Sequence, residues 1–300
     1  MKAMAETNKN KIWAFWGLGL AVLFWSINTV IAKGVVEQVP PMALSFFRWV
    51  SALVFILPFA AKGLQKDWLS IRENLGFLFV LSIPSVTVYN SCLYLGAQYT
   101  SATNISLVTA AMPAMTLGFA WMINRKRPGL FQTLGILISL MGVGVIISKG
   151  SLALFARFRF NPGDLLIMVS VAAWALYSVL LKKRALPISP LSFLTMTIFF
   201  GTLCILPFYL WEFTLYKGFD LNASLVWMFV YLGICPSILS YICWNFGVKT
   251  VGSATASVFM YLIPVFTSVL AYIFLQERLF LFHLSGGLLI FLGLILSSRQ

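Results

Sequence analysis

Charged residues are scarce in this chain: only 10% of its 300 residues are Asp, Glu, Lys or Arg, whereas 60% are hydrophobic. Soluble proteins average about 25% charged and 45–50% apolar residues. This composition excludes a soluble globular protein. Most of the molecular surface must therefore face something other than water, and we expect it to face a lipid bilayer.

Histidine and cysteine are also rare. The single histidine excludes a multi-histidine metal site, and the sequence has no GxSxG nucleophile motif, no P-loop and no GxGxxG fingerprint. The four cysteines all lie within apolar segments, where they behave as small hydrophobic residues and not as disulfide partners. We therefore expect no enzymatic activity, no metal and no cofactor.

Apolar stretches, by contrast, fill the chain. A helix that crosses the hydrocarbon core needs about 20 mostly apolar residues, and ten stretches of that kind account for 209 of the 300 residues. No room remains for a water-soluble catalytic or binding domain. The sequence predicts an all-α polytopic membrane protein with ten transmembrane helices. The predicted helices cover residues 12–32, 42–61, 75–95, 103–123, 129–148, 164–182, 190–211, 225–246, 253–275 and 279–298.

The positions of the basic residues predict how these helices are oriented. A net charge of +13 is also typical of nucleic-acid-binding proteins, but the Lys and Arg residues are better explained by the excess of positive charge that marks cytoplasmic loops. With the N-terminus inside, 14 of the 21 basic residues are cytoplasmic and 6 lie on the other side. We expect a bacterial inner-membrane protein with both termini in the cytoplasm and no nucleic-acid partner.

The sequence contains an internal repeat, whose two copies are separated by a central linker. The first repeat covers residues 1–148 and the second covers 164–300, with a shift between matched residues that drifts only from 149 to 152. Residues 149–163 alternate Arg with Phe, which favours a linker lying at the membrane interface over a partner-binding segment. Matched pairs include Trp25 with Trp174, Pro41 with Pro190, Pro84 with Pro236, Tyr89 with Tyr241, Pro113 with Pro264, and Gly135 with Gly286.

Five spans in each repeat make the two repeats inverted. An odd number of crossings forces the second repeat to enter the membrane in the opposite direction. Such a pair favours alternating access, with the substrate site near the midplane where the halves meet. The matched prolines Pro84, Pro113, Pro236 and Pro264 interrupt helices at similar depth and indicate a central cavity there, although kinks that only help packing are the alternative.

Polar side chains at helical spacing predict the lining of this cavity. Small Ser and Thr residues also suit close packing between helices. Arg48 either extends to the interface or faces the cavity and holds an anionic group such as a carboxylate, and Tyr89 is included through its match to Tyr241. The predicted substrate-binding residues are Trp25, Asn28, Arg48, Tyr89, Asn90, Trp174, Tyr177, Tyr241 and Asn245.

Two further features leave alternatives open. No carboxylate is predicted deep within a span, so the coupling ion is open, with His283 as a candidate for proton coupling. Glycines on one face of the fifth and tenth spans, such as Gly142 and Gly293, indicate either structural supports or the contact of a homodimer.

The residues also resemble a known family. The opening of the first repeat, Trp25-Ser-Ile-Asn28-Thr-Val-Ile-Ala-Lys33 followed by Pro41 and Arg48, is similar to the EamA-type transporters of the drug/metabolite transporter superfamily. So is the end of the second repeat, from Pro264 through Gln276-Glu277-Arg278. The resemblance implies ten spans in two repeats, with the pathway among spans one to four and six to nine.

Repeat and resemblance together predict a transporter of a small organic molecule. We expect an exporter of amino acids or related metabolites. Uptake or exchange of S-adenosylmethionine or a nucleotide-like metabolite is the alternative among transporters, and a lipid-handling or scaffold protein is the alternative of another class.

Overall fold

Helices form most of the described structure. The computed structural model describes residues 2–125, 129–151, 161–183 and 186–297, and these contain no β-strand. Eight helices are long and apolar enough to cross a membrane, and two further apolar helices are somewhat shorter. The predicted all-α fold with ten transmembrane helices is confirmed. The helices are α1 (Lys2–Gly34), α2 (Pro41–Lys66), α3 (Leu75–Tyr99), α4 (Ala102–Asn124), α5 (Leu130–Ile147), α6 (Pro162–Lys183), α7 (Pro190–Tyr216), α8 (Ala223–Val251), α9 (Ser253–Leu275) and α10 (Leu281–Ser297).

The packing of these helices repeats between the first half, α1–α5, and the second half, α6–α10. Helix α1 packs against α8 and α9, and α6 packs against α3 and α4. Helix α2 packs against α7, α4 against α9, and α5 against α10. Exchanging the two halves reproduces this set of contacts. The bundle therefore consists of two inverted five-helix repeats. Residues 152–160 of the predicted interfacial linker lie outside the described residues.

Lysines at matched positions show the same symmetry in detail. Lys33 at the end of α1 donates from Nζ to the carbonyl of Ala97 in α3 at 3.0 Å, and Lys182 at the end of α6 donates to the carbonyl of Lys249 in α8 at 2.8 Å. Carbonyls in the last turn of a helix lack partners within the helix, so a nearby ammonium group stabilises them. Each half thus joins its first helix to its third in the same way.

Helices α2 and α7 begin with a proline, and a carboxylate binds the N–H groups of the first turn of α2. Pro41 and Pro190 occupy the first turns of α2 and α7, where a missing N–H costs nothing. Glu212 in α7 accepts hydrogen bonds from the N–H groups of Met42 and Ala43 at 3.0 and 2.7 Å. A carboxylate at a helix N-terminus also compensates the positive end of the helix dipole. The contact therefore holds the start of α2 against the end of α7.

Asp67, just after α2, binds the start of α7 in the reciprocal manner. Its Oδ2 accepts the N–H of Ser189 at 2.8 Å, and hydrogen bonds from Ser189 lower the pKa of Asp67. A lowered pKa in the folded state means that the ionised group adds stability above the unfolded-state pKa of about 3.9, and that this stability is lost as pH falls through the folded-state pKa. We therefore expect Asp67→Asn to lower the free energy of unfolding near neutral pH and to have no effect in strong acid.

Thermal unfolding of the purified protein at several pH values measures this difference. The matched control is Asp220→Asn, which changes an exposed carboxylate at the opposite end of α7 and is expected to leave stability unchanged. A destabilisation by Asp67→Asn that stayed constant down to strong acid would show that its ionisation is not involved.

Glycines allow α5 and α10 to approach closely. A Cβ atom on Gly142 would lie 2.6 Å from the carbonyl oxygen of Gly286, and one on Gly293 would clash with that of Gly135. Real Cβ atoms do not come so close to a backbone oxygen, so only glycine fits at these positions. The small-residue faces of the two helices thus contact each other within one chain, as structural supports.

All four matched prolines lie at interruptions of helical geometry. Pro84 lies in a π-helical segment of α3, Ile83–Val88, and Pro236 lies in a π-helical segment of α8, Gly233–Leu239. Pro113 follows a turn that divides α4, and Pro264 follows a 3₁₀ segment that divides α9. Wide or broken turns leave backbone carbonyls without their usual partners. In a membrane protein these carbonyls must be satisfied by protein or water.

Candidate functional site

Arg48 lies at the centre of the bundle, where α2 meets α1, α3 and α8. Its side chain is 1% exposed and points into the bundle, not to the interface. Within the first half, Nη1 donates to Asn90 Oδ1 at 2.6 Å, to the Tyr94 hydroxyl at 2.8 Å and to Asn28 Oδ1 at 3.4 Å. All three acceptors are neutral. The guanidinium charge is therefore held by amide and hydroxyl oxygen atoms without a carboxylate among them.

The other edge of the guanidinium binds the second half. Nε donates to Ser237 Oγ at 2.6 Å, and Nη2 donates to the carbonyl of Pro236 at 3.1 Å. Nε and Nη2 form the side of an arginine that binds a carboxylate with two parallel hydrogen bonds. In this conformation a hydroxyl and a backbone carbonyl of α8 occupy that side. Arg48 thus binds the second half through Nε and Nη2 and its own half through Nη1.

The π-helical segments supply carbonyls to this site. The carbonyl of Pro236 accepts hydrogen bonds from both Trp25 Nε1, at 3.0 Å, and Arg48. In α3 the carbonyl of Ser85 accepts the Tyr241 hydroxyl at 2.6 Å and Asn90 Nδ2 at 3.3 Å. Side chains of the site therefore satisfy the carbonyls that the irregular helices leave unpaired. The helix interruptions and the polar cluster form one structure.

Aromatic rings cover one side of the polar cluster, around Trp174. Its ring centroid lies within 6 Å of five other aromatic rings, mostly in edge or tilted geometry, which is the favourable arrangement for aromatic pairs. Its indole N–H is buried and has no hydrogen-bond partner within the described part of the chain. The rings are Tyr241 at 4.8 Å, Tyr89 at 4.9 Å, Trp25 at 5.1 Å, Tyr177 at 5.2 Å and Trp244 at 5.8 Å.

Two hydrogen bonds between a phenol and an amide occupy equivalent places in the two halves. Tyr94 of α3 donates to Asn28 of α1 at 2.8 Å, and Tyr177 of α6 donates to Asn245 of α8 at 2.7 Å. The tyrosine lies on the third helix of the first half but on the first helix of the second half. The two residue types have exchanged helices, whereas the hydrogen bond has remained.

The nine predicted substrate-binding residues come together in this cluster. All are buried, with at most 7% of any residue exposed, and four hydrogen bonds join members of the set to one another. Tyr177 and Asn245 lie at its edge, joined to the centre through Trp174. In the described conformation the residues therefore pack against each other. That they line an open cavity in another conformation stays a prediction.

Four further residues belong to the cluster and were not among the predicted nine. Tyr94 and Ser237 bind Arg48, and Trp244 donates from Nε1 to Ser178 at 3.1 Å. These three residues lie on the same helical faces as predicted residues, so the pattern of polar residues at helical spacing could have identified them. Trp49 lies under the Arg48 guanidinium at 4.9 Å and edge-on to Tyr241. Nothing in the sequence pattern distinguishes Trp49 from other tryptophans in the spans.

Comparison with known proteins agrees with this architecture. A crystal structure that covers 97% of this chain and 96% of its own superposes with a TM-score of 0.66 at 18% identity, which shows the shared fold. An uncharacterized transporter of Archaeoglobus fulgidus is 28% identical, covering 94% of this chain and 96% of its own. The uncharacterized transporter YyaM of Bacillus subtilis is 27% identical, covering 94% and 92%.

The family match covers each half of the chain separately. The EamA-like transporter family matches residues 11–148 and again residues 161–299. These two matches contain the two five-helix repeats and all the residues of the central cluster. The chain is therefore a multi-pass membrane protein that belongs to the EamA-like transporter family, whose members are transporters and not enzymes.

Proposed function

We propose that this transporter exports an amino acid or a related metabolite and binds the cargo carboxylate at the Nε–Nη2 edge of Arg48. The observation that carries the proposal is the division of the Arg48 hydrogen bonds between the two halves. Alternating access requires the halves to separate on one side of the site. Hydrogen bonds within a half persist during that motion, whereas those between halves break.

Separation of the halves prepares the arginine for cargo. The Nη1 hydrogen bonds to Asn90 and Tyr94 keep the guanidinium fixed to the first half. Departure of Ser237 and of the Pro236 carbonyl then leaves Nε and Nη2 without partners. A carboxylate replaces both acceptors and adds an opposite charge, which gives the bidentate geometry that arginine favours. Binding of the cargo thus compensates for the two hydrogen bonds that break when the halves separate.

The surrounding side chains suit the rest of a small amphipathic molecule. The aromatic faces around Trp174 bind apolar groups and also attract an ammonium group through their π electrons. The unpaired Trp174 N–H offers one further donor. The same cluster of indole rings supports a second candidate cargo, a nucleotide-like metabolite such as S-adenosylmethionine, because an adenine ring stacks on indole.

We further propose that residues 1–148 and 164–300 are the two repeat units of the chain and that residues 149–163 are the linker between them. The excess of Lys and Arg on one side of the bundle supports a cytoplasmic location of both termini, and a bacterial inner membrane is the membrane we propose. The glycine contact between α5 and α10 lies within one chain, so this face does not require a second copy.

Flux measurements in liposomes test the cargo. We expect saturable exchange of labelled amino acids, and no exchange of the matching amino acid methyl esters, because an ester cannot form the bidentate ionic contact with Arg48. Labelled S-adenosylmethionine, offered in parallel, separates the second candidate from the first. Equal flux of acid and ester would contradict the role of Arg48. Lipid scrambling without any saturable flux would indicate the lipid-handling alternative.

A further inference from the structure

One buried carboxylate takes no part in the site around Arg48. Asp164 lies in the first turn of α6 and is fully buried. Seven of the eight acidic side chains are among the described residues, and of these only Asp164 and Glu212 are buried. Both oxygens of Glu212 accept backbone N–H groups. By contrast, Oδ2 of Asp164 has no hydrogen-bond partner among the described residues.

A chain of hydrogen bonds connects Asp164 to the only histidine. Thr100 Oγ1 donates to Asp164 Oδ1, and Asn104 Nδ2 lies 3.5 Å from the same oxygen. Asn104 Oδ1 contacts His283 Nε2 at 3.0 Å. Because His283 Nδ1 accepts the N–H of Phe280 at 3.0 Å, Nε2 must carry the proton and donate to Asn104. The cluster thus joins the ends of α3, α4, α6 and α10.

Within the described part of the chain, no Lys or Arg side chain forms an ion pair with Asp164 within 4.0 Å, and Lys149 acts on it only from a longer distance. Glu277 is bound to the first N–H groups of α4. Burial of an unpaired carboxylate charge costs several kcal/mol, which a bound proton removes. A cavity of about 420 Å³ beside the cluster gives access to it. Its titratable and charged lining residues are Lys33, Tyr99, Lys149, Glu277, Arg278 and His283.

The cluster exists at one end of the molecule only. The inverted repeat places equivalent positions at the opposite end, and their residues do not titrate. The counterparts of Asp164, Thr100, Asn104 and His283 are, in that order, Phe15, Gly252, Ala256 and Gln132. The buried carboxylate and the histidine of this end therefore have no titratable counterparts at the matched positions of the other end.

We propose that Asp164 is a proton-binding site that makes the opening of this end of the bundle depend on pH. The carboxyl group is protonated while α3, α4, α6 and α10 close this end of the bundle. When this end opens, the O–H bond breaks and the proton passes to water in the cavity next to His283, leaving a hydrated carboxylate. Closing takes one proton back from the same side, so no proton crosses the membrane, and low pH on that side favours the closed end. This pH dependence rests on the transporter fold and not on which cargo binds Arg48.

Infrared spectroscopy of the purified protein in nanodiscs tests the site without any cargo. Near neutral pH we expect a protonated-carboxyl band in the wild type that is absent in Asp164→Asn and unchanged in Glu212→Gln, the matched buried carboxylate. Thr100→Val removes a donor to the carboxylate and is expected to keep the band to higher pH. Absence of a band that depends on Asp164 would overturn the proposal. The proposal would also be overturned if the intensity of the band changed with sodium concentration at constant pH and not with pH itself.

A liposome experiment tests the effect on transport. We expect exchange of labelled amino acid by the wild type to slow as the pH on the side of this end falls, and exchange by Asp164→Asn to be independent of that pH. An equal pH dependence in both proteins would overturn the role of Asp164. If the band is present but no amino acid is carried by any variant, the cargo assignment fails and the proton site stands.

Discussion

Replacing Arg48 by lysine is expected to reduce transport about 10- to 100-fold. Lysine keeps the positive charge but lacks the planar edge that binds a carboxylate with two hydrogen bonds. Its ammonium group still donates one hydrogen bond, and loss of the other costs about 1.5–3 kcal/mol, equivalent to about 10- to 100-fold in binding. Initial rates of exchange in liposomes, at matched protein content, measure the effect.

Ser237→Ala is the informative partner variant, because it removes an acceptor that holds the same edge of Arg48 in the closed conformation. We expect it to lower KM, since the cargo carboxylate then displaces one hydrogen bond fewer. Wild-type kinetics in Arg48→Lys, with normal insertion of both variants, would refute the assignment of Arg48. A raised KM in Ser237→Ala would show that the hydroxyl assists the cargo instead of competing with it.

A large effect on stability is expected from Gly142→Ala. Alanine normally favours a helix by about 1 kcal/mol over glycine, but at this position its methyl group would meet the backbone of α10 at 2.6 Å. Overpacking of this kind costs about 1–3 kcal/mol, and backbone cannot move aside as a side chain can. We expect a clear fall in the thermal unfolding temperature, measured in detergent.

Gly118→Ala in α4 provides the matched control, because a Cβ atom there meets nothing within 4 Å. This variant is expected to be neutral or slightly stabilising, since it gains helix propensity without a clash. The same response in both variants would mean that the α5–α10 contact is looser than described.

The fold was predictable from the sequence to a greater extent than the site. Span length and the matched prolines depend on composition and period, which are local properties, and they predicted ten helices in two repeats. The partners of Arg48 depend on which helix faces meet. The polar stripes placed Asn28 and Asn90 on candidate faces, but the Pro236 carbonyl becomes an acceptor only through the irregular turn of α8.

Asp164 shows why other parts of the structure could not be predicted from the sequence. It lies at the very start of the sixth predicted span, where a carboxylate is usually solvated or stabilises the helix N-terminus. Its burial results from contact with Thr100 and Asn104, about 60 residues earlier in the chain, and from α10 beyond them. No pattern within α6 contains that information. The burial of Glu212 could not be predicted for the same reason, because its partners are backbone N–H groups of another helix.

The two phenol–amide hydrogen bonds have a consequence for how the repeats are compared. Asn28 is matched by Tyr177, but at the shift of 152 that pairs Tyr89 with Tyr241, the residue matched to Tyr94 is Phe246 and not its neighbour Asn245. The second half therefore makes its hydrogen bond from a position one residue away. An alignment of the two halves residue by residue consequently misses a contact between the first and third helices that both halves make.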